Sequence, residues 1–98
     1  MKKIVLTLIL GVNAVFALNG KINTESVACR TKDAFSEMNR ASVDKDEETF
    51  GSLIYSGQCR IFKSGTSIFS IDYGILGRSS FKHRSITWYI SSEFIQSI

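Results

Sequence analysis

One histidine, His83, stands between Lys82 and Arg84, and its side chain is the only one whose ordinary pKa suits acid–base work near neutral pH. A hydrolytic triad would join it to Asp72 and to one of many serines. No Gly-x-Ser-x-Gly elbow marks such a serine. A carboxylate pair would draw on the acidic run Asp44 to Glu48, or on Asp72 and Glu93 from unrelated segments. The acidic run is accounted for as the start of a helix, where negative charge suits the helix dipole, and as a cation site it is short of ligands. P-loop, Gly-x-Gly-x-x-Gly and His-Glu-x-x-His motifs are absent. The residues therefore predict a protein that is not an enzyme and holds no cofactor.

Cys29 and Cys59 are the only cysteines. A metal centre needs three or four close ligands, and His83 lies far from both. A redox pair normally shows Cys-x-x-Cys spacing, which these do not. In an exported chain two cysteines predict a disulfide. Closing a loop of roughly 30 residues contributes about 3 to 4 kcal/mol in the chain-entropy description.

A third group is basic and aromatic: Arg60, Lys63, Arg78, Lys82, His83 and Arg84, with Tyr73 and Tyr89 interleaved. Such a surface suits an acidic partner protein, the carboxylates of peptidoglycan or anionic lipid heads. The alternative is that these are the solvated faces of amphipathic strands, with cations discouraging edge-to-edge pairing. The formal net charge is +3, and Lys2 and Lys3 supply two of those charges. The rest of the chain has no large field, so nucleic acid is not an expected partner.

Those two lysines head an apolar run from Ile4 to Ala17, with small residues at Val15 and Ala17. The pattern predicts a secretory signal peptide over residues 1–17, cleaved after Ala17. As a membrane anchor the run is interrupted by Gly11 and Asn13 and falls short of the ~20 residues that span a bilayer. Position 18 is leucine rather than cysteine, which argues against a lipid anchor. A periplasmic or secreted location follows, without stable membrane insertion after cleavage. Residues 18–98 suffice for one small domain.

Within that domain, Lys21 to Cys29 reads as an extended lead-in and edge strand. Thr31 caps a helix running to about Arg40, with Ala34, Phe35 and Met38 on one face. Asp44 with Glu47 three residues on predicts a second helix to Ser56, whose apolar face is Phe50, Leu53 and Ile54 and whose stop is Gly57. The period then becomes extended. Gln58 to Lys63 and Thr66 to Tyr73 read as a hairpin about Ser64-Gly65, Gly74 to Gly77 as a turn or bulge, and Ser79 to Arg84 and Ile86 to Ile90 as further strands. Trp88, in step with Ile86 and Ile90, is expected in the core, and Ser91 to Ile95 as one helical turn plugging the end. The expected fold is α+β, two short N-terminal helices followed by a small, strongly bent antiparallel barrel.

With Cys29 before a helix, Gly57-Gln58-Cys59 after the next, a turn at Ser64-Gly65, the Phe81 to Arg84 strand and Trp88-Tyr89-Ile90 before Phe94, the chain resembles small exported bacterial SH3-like domain proteins. The resemblance implies an SH3-like barrel. It does not extend to the acidic, aromatic loop by which eukaryotic SH3 domains bind proline-rich peptides, and no catalytic domain accompanies it. The expected function is an exported, non-catalytic module that binds a protein or peptide partner in the cell envelope, with peptidoglycan a second candidate. The alternative is a periplasmic inhibitor or immunity protein directed at a toxin or wall-degrading enzyme.

Overall fold

The computed structural model describes residues 18–97, so the expected signal segment lies outside the described residues. Two short strands come first, Gly20–Ile22 (β1) and Ser26–Cys29 (β2), followed by the helices Lys32–Asp44 (α1) and Glu47–Tyr55 (α2). Five more strands follow: Cys59–Phe62 (β3), Ser67–Tyr73 (β4), Arg78–His83 (β5), Ile86–Ser91 (β6) and, after a 3-10 turn at Ser92–Phe94, Ile95–Ser97 (β7). All pairings are antiparallel, in the spatial order β3-β2-β6-β5-β4-β1-β7.

This corrects the expected fold in two respects. The helices are not N-terminal to the sheet but are inserted between β2 and β3, because the lead-in segment itself forms strands. The sheet is open, with free edges at β3 and β7, and is not a closed SH3-like barrel.

The segment expected as a hairpin about Ser64-Gly65 is also different. β3 pairs with β2, and β4 pairs with β1 and β5, so β3 and β4 are not partners. They are two halves of one bent ribbon. The register that sets Ser26 opposite Phe62 continues to the Ile22 N–H, which donates to the Thr66 carbonyl at 3.0 Å after four residues on each strand. The corner is turned at Lys63 to Thr66, where the Thr66 N–H donates to the Lys63 carbonyl and Gly65 takes a φ of 90°. The Gly65 N–H in turn donates to the Ile22 carbonyl at 2.7 Å.

The corner folds the sheet onto itself. β3 and β5 are three positions apart, which is about 14 Å in a flat sheet, yet the Phe62 and Phe81 rings lie 5.4 Å apart edge to face. Phe62, Ile68, Ile71, Phe81, Trp88, Ile90, Ile22 and Ile95 form one buried cluster inside this curl. Trp88 is thus a core residue, as its alternation with Ile86 and Ile90 predicts. Ser70, at φ 51°, breaks the β4 register and turns Ile71 inward after Ile68.

On the opposite face, Cys29 and Cys59 meet Ala34, Phe35 and Met38 of α1 and Leu53 of α2 in a second cluster. The two cysteines are disulfide-bonded. Thr31 caps α1 as expected, its hydroxyl oxygen accepting the Ala34 N–H at 3.0 Å. The helix continues past Arg40 because Ala41 is buried on the same face, and it ends at Lys45 in the left-handed region. Asp44 therefore belongs to α1, and the cap of α2 is Asp46, which accepts the Thr49 N–H at 3.1 Å. The expected C-terminal turn is present at Ser92–Phe94, and the unexpected β7 follows it, with Ile95 paired to Ile22.

Candidate functional site

Strand alternation puts Arg60 and Phe62 on the inner face of β3. Phe62 is buried, and the Arg60 guanidinium carbon lies 5.3 Å from its ring centroid. The chain leaves β3 at Lys63 and returns at Thr66, whose hydroxyl donates to the Lys63 carbonyl at 2.7 Å. From β5, His83 brings its ring edge-on to Phe62 at 5.5 Å, with Nδ1 3.3 Å from the Ser67 carbonyl oxygen. Arg84 follows in the two-residue turn to β6. These side chains and Ile61 line a cavity of about 280 Å³ at the mouth of the curl.

The turn is unusual for its sequence. Arg84 and Ser85 both have positive φ, 54° and 67°, between the paired residues His83 and Ile86. This is the geometry for which Asn-Gly is preferred. An L-residue with a Cβ held there costs about 1 to 2 kcal/mol, and the structure places a long cation at the mouth with it.

The charge at the mouth is one-sided. Arg60, Lys63 and Arg84 are cationic, while no carboxylate among the described residues lines the cavity. The ion pairs among the described residues all belong to Arg40, with Glu37, Asp44 and Asp46 at 3.1 to 3.2 Å. Among the described residues, the mouth's basic groups therefore have no ion-pair partner. Chemically, the arrangement can hold an anionic group among cations, one of which, Arg60, lies over the Phe62 ring that floors the cavity.

The other four residues singled out in the sequence lie elsewhere. Arg78 and Tyr89 line a separate cavity of about 330 Å³ beside α1, together with Lys32, Ser80 and Asp72, whose carboxylate makes its charge mixed. Lys82 stands opposite Phe69 and Thr87 on the outer face. The Tyr73 hydroxyl is hydrogen-bonded to the Ser97 hydroxyl at 2.6 Å, near the β7 edge. Sequence reasoning missed Thr66 and Lys32 as lining residues and took Phe62 only as core. The even spacing of Arg60 and Phe62 was the available signal for the floor, whereas the corner that brings Thr66 beside His83 is a long-range pairing.

The ring partner of His83 is the Ser67 carbonyl rather than Asp72. Among the described residues, no group of three or more His, Cys, Asp or Glu side chains is arranged to hold a metal ion. No helix among them is long and apolar enough to cross a membrane. The chain matches no protein-family model, no curated protein and no solved structure, and so nothing in these comparisons identifies an SH3-like family.

Proposed function

We infer that this chain is an exported binding module that engages a protein or peptide partner of the cell envelope through an anionic group and performs no chemistry on it. The observation that carries the reading is the convergence of Arg60, Lys63, His83 and Arg84 on one cavity that no carboxylate of the described residues lines. Three cationic side chains, Arg60 from β3, Lys63 from its corner and Arg84 from the β5–β6 turn, repel one another unless an anion joins them. The disulfide fits an oxidising compartment, periplasmic or extracellular. A pull-down from the envelope fraction, with washed peptidoglycan as a second bait, tests the reading. Retention should fall steeply with salt and be lost in an Arg60→Glu, Arg84→Glu double variant; retention unaffected by both would overturn it.

The alternative of an inhibitor or immunity protein draws on a different feature. Ile75 and Leu76, at the tip of the β4–β5 turn, are 78% and 97% exposed. The tip is held by the Arg78 N–H donating to the Ile75 carbonyl and the Ser92 N–H donating to the Gly77 carbonyl. A fixed apolar tip suits insertion into the cleft of a target enzyme. If this reading holds, the protein suppresses lysis by wall-degrading enzymes of its own envelope and Leu76→Ser releases the suppression. Unchanged lysis with the wild-type protein counts against it.

A further inference from the structure

The strand that forms one wall of the mouth carries a second recognition element besides charge. Among the described residues, β3 is an edge strand whose only sheet partner is β2. The Arg30 N–H donates to the Gln58 carbonyl at 2.8 Å, so Arg30 and Gln58 are a hydrogen-bonded pair. Alternation along an antiparallel ladder makes Cys29/Cys59 and Val27/Ile61 non-hydrogen-bonded pairs, in keeping with the 3.9 Å between the cysteine Cα atoms. The N–H and C=O of Ile61 therefore point away from β2, off the edge of the sheet. Ile61 is 45% exposed, and no proline or bulge blunts the strand. The cavity wall is the run Arg60 to Lys63, so this free edge and the cations border the same space.

The geometry points to strand addition: an extended acidic segment of a partner protein pairs its backbone with β3 at Ile61 and sets a carboxylate among Arg60, Lys63, His83 and Arg84. The inference rests on the reading of the mouth as an anion site. It is favoured over a second copy of this chain, which would bring the same unpaired cations to the seam. It is favoured over a lipid headgroup or a free anion, because those match the cations and leave the Ile61 backbone groups unmet.

Titration calorimetry on the disulfide-bonded protein tests this with a short peptide alternating glutamate with threonine. The comparison ligands are the same peptide N-methylated at alternate amides, free glutarate, and vesicles of anionic phospholipid. The parent peptide should bind, and N-methylation on the pairing edge should weaken it about tenfold, the net worth of one or two hydrogen bonds. Ile61→Pro should weaken it similarly, since the N–H it removes is not used by the β2 ladder and proline is tolerated at such an edge position. If the N-methylated peptide binds as tightly as the parent, strand addition is overturned and the anion-site reading stands. If Arg60→Glu with Lys63→Glu leaves both parent peptide and glutarate unaffected, the anion-site reading fails and the inference with it. Tighter binding to vesicles than to the peptide, or no binding of the parent peptide, overturns the inference as well.

Discussion

Cys29 and Cys59 stand directly opposite each other on neighbouring strands, and both helices lie in the chain between them. The disulfide therefore closes the neck of a helical excursion from the sheet. Both sulfurs are buried between β2, β3 and α1, with the Cys59 sulfur 3.9 Å from the Ala34 carbonyl oxygen. The bond thus fixes the place where the two hydrophobic clusters share a pair of strands.

Replacing both cysteines by alanine should lower the unfolding free energy by about 3 to 4 kcal/mol, the loop-closure value for a separation of 30 residues. Urea denaturation of the oxidised protein and the double variant measures it. An unchanged midpoint would mean that β2, β3 and the helices hold together without the bond.

Arg84-Ser85 should be replaceable by Asn-Gly with a gain in stability of about 1 kcal/mol, because the new pair accepts the positive φ of both positions. The same change removes one cation from the mouth. Thermal melting should show a higher Tm while affinity for an acidic peptide falls. A rise in both, or a fall in Tm, would show that the turn is not held under strain for the sake of Arg84.

Local chemistry was legible in the sequence where one residue determines it. Thr31 caps α1, Gly57 takes a positive φ after α2, and Trp88 alternates into the core. The placing of the α2 cap went astray by two residues because Asp44 and Asp46 are equally good caps. Burial of Ala41, a tertiary effect, carried α1 far enough to absorb Asp44. The hairpin expected at Ser64-Gly65 failed for a related reason. A glycine turn is the same local signal whether the two strands pair with each other or, as here, both with the bent β1–β2 segment. For the site, the sequence identified the basic residues and not their sorting. Arg60 and Lys63 meet His83 and Arg84 only because the corner curls β3 toward β5.

Phe62 is the point at which that curl is held. Its ring lies edge-on to Phe81 at 5.4 Å and to Trp88 at 5.1 Å, and it is 3% exposed. Phe62→Ala should cost about 3 to 5 kcal/mol. Because Trp88 is the only tryptophan, its fluorescence reports both the repacking and the unfolding. A loss below about 1 kcal/mol would mean that the sheet keeps its curl by backbone pairing alone.

Asp46 should make stability depend on pH in the acid range. Its carboxyl is held below the ordinary carboxylate pKa, first by the Thr49 hydroxyl, then by the Thr49 N–H and then by Arg40. Arg40 itself is held more firmly protonated, by Glu37 first and by Asp46 and Asp44 after it. With a folded pKa below the unfolded value of about 3.9, the unfolded chain binds the proton more readily, so acid favours unfolding. The contribution is complete above the unfolded value and is lost as pH falls through the folded one. Asp46→Asn keeps an acceptor for the Thr49 N–H and removes the charge. Melting curves should therefore show the variant less stable than wild type at pH 7, with the two converging as the pH is taken well below 4. A gap that persists undiminished in acid would assign the effect to lost cap geometry rather than to the carboxylate charge, since only the charge is titrated away.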